Sequence, residues 1–375
     1  MHYDVIVIGA GSVGMAAGYY LAKSGKNVLL IDAFDPPHQS GSHHGETRII
    51  RYAYGEGAEY VPLVLEAKQL WEDLAEASDK KIFMQTGVLN VGKPDSDFIR
   101  STISSANDYA LPLEVMEAEA IQQRWPGLTI PEYFTGCFEP TSGVLACEEA
   151  IKAYRELAER HGATLLPNSK VSDIEVKEHE VTVKTAEVTC QANALIVSAG
   201  AWSNEVLERL DLELPLTPVR KTFAWFDADE EQYNHQLFPA FSFDTDAGMY
   251  YGFPSINQAG LKLGRHDGGE SIDPNQSIQP FGEKLEDQTD LTQFLHQYFP
   301  NVHELNYGKT CMYTQTPDEK FIIDLHPSYS HVAIAAGFSG HGFKFSSAVG
   351  KALSDLLISG KANVDLSPFA INRFN

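Results

Sequence analysis

Ser40 to Gly57 reads SGSHHGETRIIRYAYGEG, in which His43 and His44 precede two arginines three positions apart, Arg48 and Arg51. Such a stretch is open to three chemistries: a metal pair, a basic surface loop, or the floor of an active site. Adjacent residues rarely ligate one ion, and neither an HxxxH spacing nor an acidic partner at ligand spacing accompanies these histidines, so no metal is expected. Arginine presents a planar fork that can grip a carboxylate through two parallel bonds, and lysine a compact point charge.

A second constellation lies upstream. GAGSVG puts Gly9, Gly11 and Gly14 in the GxGxxG spacing. The first glycine permits a tight turn, the second lets backbone approach a pyrophosphate, and the third lets helix pack on strand. A helix starting there turns its free N–H groups toward the phosphates. Alone the pattern is weak. Here it follows a strand, opens a helix, and is answered by Asp32 at the end of the next strand, 18 residues beyond Gly14. An acid there suits a ribose hydroxyl and repels a 2′-phosphate, which disfavours NADP.

The elements that must hold these groups are legible from periodicity. Tyr3 to Ile8 is a short β-branched run, as in a buried parallel strand. Ser12 to Ser24 reads as a helix, and KNVLLID as the second strand of a βαβ unit. FDPPHQSGSHHG then breaks regular structure. Tyr60 to Glu76 is helical by spacing. From KIFMQTGVLNVG onward short strands and turns are expected. ACEEAIKAYRELAERHGATLL predicts an amphipathic helix and a strand, and ALIVSAGAW closes a further buried strand. Residues 215–300, rich in aromatics and turns, predict an antiparallel sheet with inserted helices. HVAIAAGFSGHGFKFSSAVGKALSDLLISG returns to strand, glycine-rich turn and helix.

The expected fold class is therefore α/β plus antiparallel β, with a Rossmann-like FAD-binding domain interleaved with a catalytic domain on a large mixed sheet. Residues 1–80, 145–215 and 310–375 are assigned to the first, and 81–144 and 216–309 to the second. FAD is favoured over NAD because glycine-ended strands recur at the start, middle and end, whereas NAD enzymes usually hold the cofactor within one contiguous block.

Composition narrows the partners. The 375 residues, 43% hydrophobic and 21% charged, suit a soluble globular protein of two domains. The formal charge of -23 disfavours nucleic acid and anionic membranes. Cys137, Cys147, Cys190 and Cys311 form no CxxC pair, so a reduced setting is the default. With no stretch of about 18 apolar residues and no signal-peptide pattern, the expectation is a cytoplasmic protein with no membrane partner.

Four long motifs, in order, carry a specific resemblance: GSHHGETRIIRYAYGEG, YYGFP with GLKLGRHDGG downstream, CMYTQTPDEKFIID, and GFSGHGFKFSS. Together they resemble the monomeric sarcosine oxidase and N-methyltryptophan oxidase family, nearly end to end, from YDVIVIGAGSVG to INRF. The resemblance implies a monomer that uses FAD to oxidise an N-methyl amino acid, with O2 as the second substrate. It implies covalent attachment of the flavin through Cys311, whose thiolate would need cationic surroundings. It assigns the substrate carboxylate to Arg51 and Lys344, and the flavin ring to Arg48 and His44. Lys262 falls where that family has the lysine that promotes reaction with O2. His266 falls near the substrate amine, and Tyr251 and Tyr313 line the substrate cavity. Thr47, Gly340 and Gly342 join Gly9, Gly11, Gly14 and Asp32 as cofactor contacts. On substrate the signals divide. RKTFAWF leans toward N-methyltryptophan, and a small Ser242 would enlarge the cavity. AAGFSGHGFKFSS and AFDPPH lean toward sarcosine. An FAD dehydrogenase serving a protein electron acceptor is the alternative class, against which Lys262 argues. A catalytically silent FAD-binding module is a third reading, opposed by the intact Arg51, Lys344 and Lys262 set.

Overall fold

The apolar runs pair as expected. In the computed structural model, which describes residues 2–374, five parallel strands lie in the order Thr164–Leu166, Val28–Ile31, His2–Ile8, Thr189–Val197, Tyr329–Ala336. Val5 and Val7 bury against helices Ser12–Lys23, Cys147–Arg160 and Ser346–Ser359, while Ile6 and Ile8 bury against the opposite layer. Where they are covered on both faces, as at residues 5–8, Val28–Ile31, 195–197 and 332–336, the strands have no polar side to show and read as unbroken hydrophobic runs. Each aliphatic side chain so buried contributes roughly 1.5–3 kcal/mol.

The second sheet has nine strands. Eight of them run in the order Glu270–Ser271, Thr217–Ala228, Leu261–Arg265, Gly248–Phe253, Ala240–Thr245, Val88–Gly92, Thr135–Glu139, Glu114–Glu117, and Val302–Gln315 also pairs with Thr217–Ala228. Only the pairing of Ala240–Thr245 with Val88–Gly92 is parallel, so the sheet is mixed. Residue 310, expected as a boundary, lies inside the strand Val302–Gln315. A small sheet of Thr47–Ile50, Gly143–Ala146 and Phe83–Met84 links the two halves.

Strand alternation decides what this second sheet presents. Ala224, Phe226, Phe241, Phe243, Leu261 and Leu263 enter an aromatic layer with Phe294 and Tyr298 of helix Glu286–Tyr298. Their neighbours Phe223, Trp225, Ser242 and Lys262 must therefore face the other way, along with Cys311 and Tyr313.

One part of the sequence reading is corrected. The stretch after KIFMQTGVLNVG was expected to be short strands and turns, yet it contains helices Asp97–Asp108 and Ala118–Arg124. The first turns Phe98, Ile99, Thr102, Ser105 and Ala106 inward at helical spacing, so its period was there to be read, although Thr102 and Ser105 lower its apolar content. Its start is marked by Ser96, whose hydroxyl accepts from the Ile99 N–H at 3.3 Å.

The glycine turn is built as its spacing implies. Gly9 has φ +89°, and a side chain there would meet the Ser198 carbonyl. Gly14 faces the same turn, where an added Cβ would stand 1.9 Å from the Gly9 carbonyl oxygen. Gly14→Ala must push helix from strand, so we expect a loss of about 1–3 kcal/mol with weakened FAD retention. Denaturant unfolding and flavin content check both.

Candidate active site

The helix N-terminus at Gly11, capped by no side chain, opens onto the larger of two adjoining cavities. This cavity is about 370 Å³ and is walled by Gly9, Gly11, Asp32, His43, Thr314 and Gly342, among others. Asp32 ties the glycine turn to its own strand. Its carboxylate accepts from the Ala10 N–H at 2.7 Å and the Phe34 N–H at 2.9 Å, with His38 Nε2 3.4 Å away. Lone pairs remain for a hydroxyl donor. The Thr314 hydroxyl, buried on this wall, has no partner among the described residues.

The smaller cavity, about 60 Å³, is lined by Arg51, Ser242, Tyr251, His266, His341 and Lys344, with Glu56 and Met249 at its side. Arg48, Tyr313, Gly340 and Phe343 border both cavities, so the two meet there. Arg51 donates to Ser242 Oγ at 3.2 Å and forms an ion pair with Glu56. Lys344 donates to the His341 carbonyl at 2.9 Å, and its ammonium lies 5.3 Å from the Tyr54 ring centroid. Tyr54 in turn shares a 2.6 Å hydrogen bond with His341 Nδ1. The buried Glu139 carboxylate holds this segment, accepting from the N–H groups of Tyr52 at 2.9 Å and Ala53 at 3.2 Å.

Burial sets the protonation states. It pushes Lys344 down to about 7, helped by Arg51 and opposed by Glu56. It pushes His266 down to about 4, leaving a neutral imidazole near pH 7. It raises Tyr251 and Tyr313, which stay phenols and hydrogen-bond each other. Glu56, which burial alone would raise, is held at about 2 chiefly by Arg51. Since Lys344 carries its charge below about 7 and loses it above, affinity for a small carboxylate without an amine should fall as pH rises through that value. Titrating acetate against the flavin absorbance from about pH 6 to 9 checks this, and Lys344→Met should flatten the dependence.

Not every expected contact reaches a cavity wall. His44 and Thr47 line neither space. His44 packs on Phe223 with Nε2 unpartnered among the described residues, and its neighbour His43 takes the wall position. The Thr47 hydroxyl instead accepts from Lys262 Nζ at 3.1 Å. Lys262, 2% exposed, also donates to the Gly45 carbonyl at 2.6 Å and sits over Phe223, Trp225 and Phe253. Arg48 donates to the carbonyls of Ser42, His44 and Thr47, pinning the loop that the sequence singled out. Cys311 is 3% exposed and lines neither cavity. Burial raises its thiol, while Arg48, Lys262, Lys221 and Arg220 oppose that rise. Sequence reasoning passed over Glu56, Tyr54 and His341 as site residues. Two of these three stand in the Ser40–Gly57 stretch and the third in GFSGHGFKFSS, so proximity to the motifs was the available signal.

Among the described residues no cluster suits a metal ion. A glycine turn, an uncapped helix start, an acid at the next strand end and an orphan hydroxyl on one cavity wall do suit a dinucleotide. The fold and this site define a flavin-dependent oxidoreductase, and the chain belongs to the family of FAD dependent oxidoreductases (DAO), whose model matches residues 4–356. Within it, the chain is 54% identical to a monomeric sarcosine oxidase from Bacillus sp. (strain NS-129), over 99% of this chain and 97% of that one. It is 44% identical to an N-methyl-L-tryptophan oxidase from Escherichia coli (strain SMS-3-5 / SECEC), over the full length of both. The fold is also that of the L-proline dehydrogenase from P. horikoshii, with a TM-score of 0.87 at 24% identity, over 99% of this chain and 97% of that one.

Proposed function

We propose that this protein oxidatively demethylates sarcosine and related N-methyl amino acids. Sarcosine, O2 and water give glycine, formaldehyde and H2O2. The observation that carries the reading is the small cavity, which gathers Arg51, Lys344, His266, Tyr251 and Tyr313 and meets the dinucleotide cavity at Arg48 and Tyr313.

Bound FAD would accept the hydride of the N-methyl group and pass the electrons to O2. The remaining tasks fall to side chains. Arg51 and Lys344 hold the carboxylate, by fork and by point charge. In doing so Arg51 exchanges Glu56 for the substrate. The neutral imidazole of His266 can accept a hydrogen bond from the amine without adding a positive charge of its own to the cavity. Tyr251 and Tyr313 shape the cavity, and as protonated phenols they can donate. Arg48 keeps a fixed positive charge where the cavities meet and would stabilise the negative charge that a bound flavin gains on reduction. Lys262 supplies a second cation for the reaction with oxygen.

The small cavity is about 60 Å³ where the dinucleotide cavity is about 370 Å³, a proportion that favours a compact substrate. The likeness to the sarcosine oxidase points the same way. Ser242, small and buried on the site face, supports N-methyltryptophan as the second reading. H2O2 release measured with each substrate separates the two. Peroxide from neither, with flavin bleached anaerobically by sarcosine, would point to a protein electron acceptor instead.

We also propose that Cys311 attaches the flavin, in line with the cations around it. Acid precipitation tests this, since a yellow pellet supports the link and a colourless pellet with free FAD refutes it. The proposed organisation is a cytoplasmic monomer, with a cofactor unit at 1–80, 145–215 and 310–375 and a substrate unit at 81–144 and 216–309. No helix among the described residues is long and apolar enough to cross a membrane.

A further inference from the structure

Lys221 is a buried cation that stands among those around Cys311 and lines neither cavity. On the strand Thr217–Ala228 its neighbour Arg220 faces the other way and pairs with Asp287. Lys221, 4% exposed, faces the site with Val219 and Phe223, directly across from Cys311 on the adjoining strand. Its ammonium donates to three successive carbonyls, those of His266 at 2.8 Å, Asp267 at 2.5 Å and Gly268 at 3.1 Å. The Asp267 carboxylate is engaged elsewhere, accepting from Arg265 and from the Met249 N–H.

Three carbonyls satisfy all three donors of an ammonium yet leave its charge uncancelled. Burying such a charge costs several kcal/mol, so the arrangement is not explained by packing alone. The chain is shaped to make it. Gly268 and Gly269 have φ +65° and +109°, which lets the turn curl round the ammonium. A side chain at Gly269 would press on Lys221 Cδ at 3.0 Å, so the turn also rests on the lysine stem. His266 heads this turn and lines the small cavity.

We propose that Lys221 is a positioning residue for His266: by tying the carbonyls of residues 266–268 together it fixes the imidazole in the wall of the substrate cavity. The inference rests on the reading of that cavity given under Proposed function. The same ammonium contributes to keeping His266 neutral. The charged groups around the imidazole are Glu56, Lys221, Arg51 and Lys344, with the Tyr313 and His341 rings packed on it. Those around Lys221 are Asp267, Cys311, Arg265 and Asp290, with its ammonium 5.4 Å from the Tyr313 ring centroid.

The test compares holoenzyme carrying Lys221→Met or Lys221→Arg with the parent. Amide hydrogen exchange across residues 266–269 reads the turn without any substrate, and should quicken on the order of tenfold in the Met variant and recover in the Arg variant. With sarcosine, kcat/KM should fall at least about tenfold in the Met variant. Its acid limb should move to higher pH, because removing a cation makes His266 easier to protonate. Parent-like exchange together with a parent-like pH profile in Lys221→Met would overturn the proposal. Faster exchange in a protein whose parent oxidises no N-methyl amino acid would uphold the clamp and sink the functional reading. Should the Met variant not fold, Lys221→Gln, which keeps a donor and drops the charge, is measured the same way.

Discussion

Arg51→Met is expected to lower kcat/KM for sarcosine by roughly 30- to several-thousand-fold, since truncating one side of a buried, hydrogen-bonded charge pair costs about 2–5 kcal/mol. The loss should fall on KM more than on kcat, because the carboxylate is bound in ground and transition states alike. The structure adds a second term. Arg51 already holds Glu56, so its removal leaves that carboxylate unpaired at the cavity as well as the substrate's. The double variant Arg51→Met, Glu56→Gln should therefore recover part of the loss. Methionine keeps an unbranched apolar chain of similar reach beside Tyr54 and Phe98, over whose rings the guanidinium sits. Steady-state kinetics on variants of equal flavin content give the result. A KM within twofold of the parent would remove Arg51 from the carboxylate site.

Lys262→Met should slow flavin reoxidation by about 10²–10³-fold and leave reduction by sarcosine nearly unchanged, as for loss of one preorganised charge at a developing anion. The side chain is well placed to stay put, with its ammonium on Gly45 and Thr47 and its surroundings aromatic. Burial, then Arg48, brings its pKa down to about 7. The charged form is thus present below that value and lost above it, so reoxidation should slow as pH rises through it in the parent. The Met variant should show no such decline. Stopped-flow traces of the two half-reactions decide the matter, and equal losses in both would refute a specific part in the oxygen step.

Much of this site was legible because local spacing encodes local geometry. GAGSVG needs only its own turn and the strand before it to place Gly9 and Gly14, and Asp32 lies one helix away. Arg48 and Arg51 stand in a stretch whose composition already pointed to chemistry. Residues paired across long sequence distances were less accessible. Lys262 meets Gly45 over 217 positions and Arg51 meets Ser242 over 191, and both depend on the register of the second sheet. Two histidines at adjacent positions face different surroundings, so naming the one on the cavity wall required the loop itself.

By itself the sequence determined the parallel sheet and the glycine turn, because hydrophobic period and glycine spacing act over one or two elements, while the cations proposed for a carboxylate were marked only by the likeness of whole motifs to a family. Only the tertiary structure decided which of those groups converge. It put Glu56 on Arg51, Thr47 on Lys262, His43 rather than His44 on the wall, and Lys221 under the His266 turn. The physical reason is that a buried charge must find partners wherever the fold brings carbonyls and carboxylates within about 3 Å, and strand register and loop closure, not neighbouring sequence, bring them there.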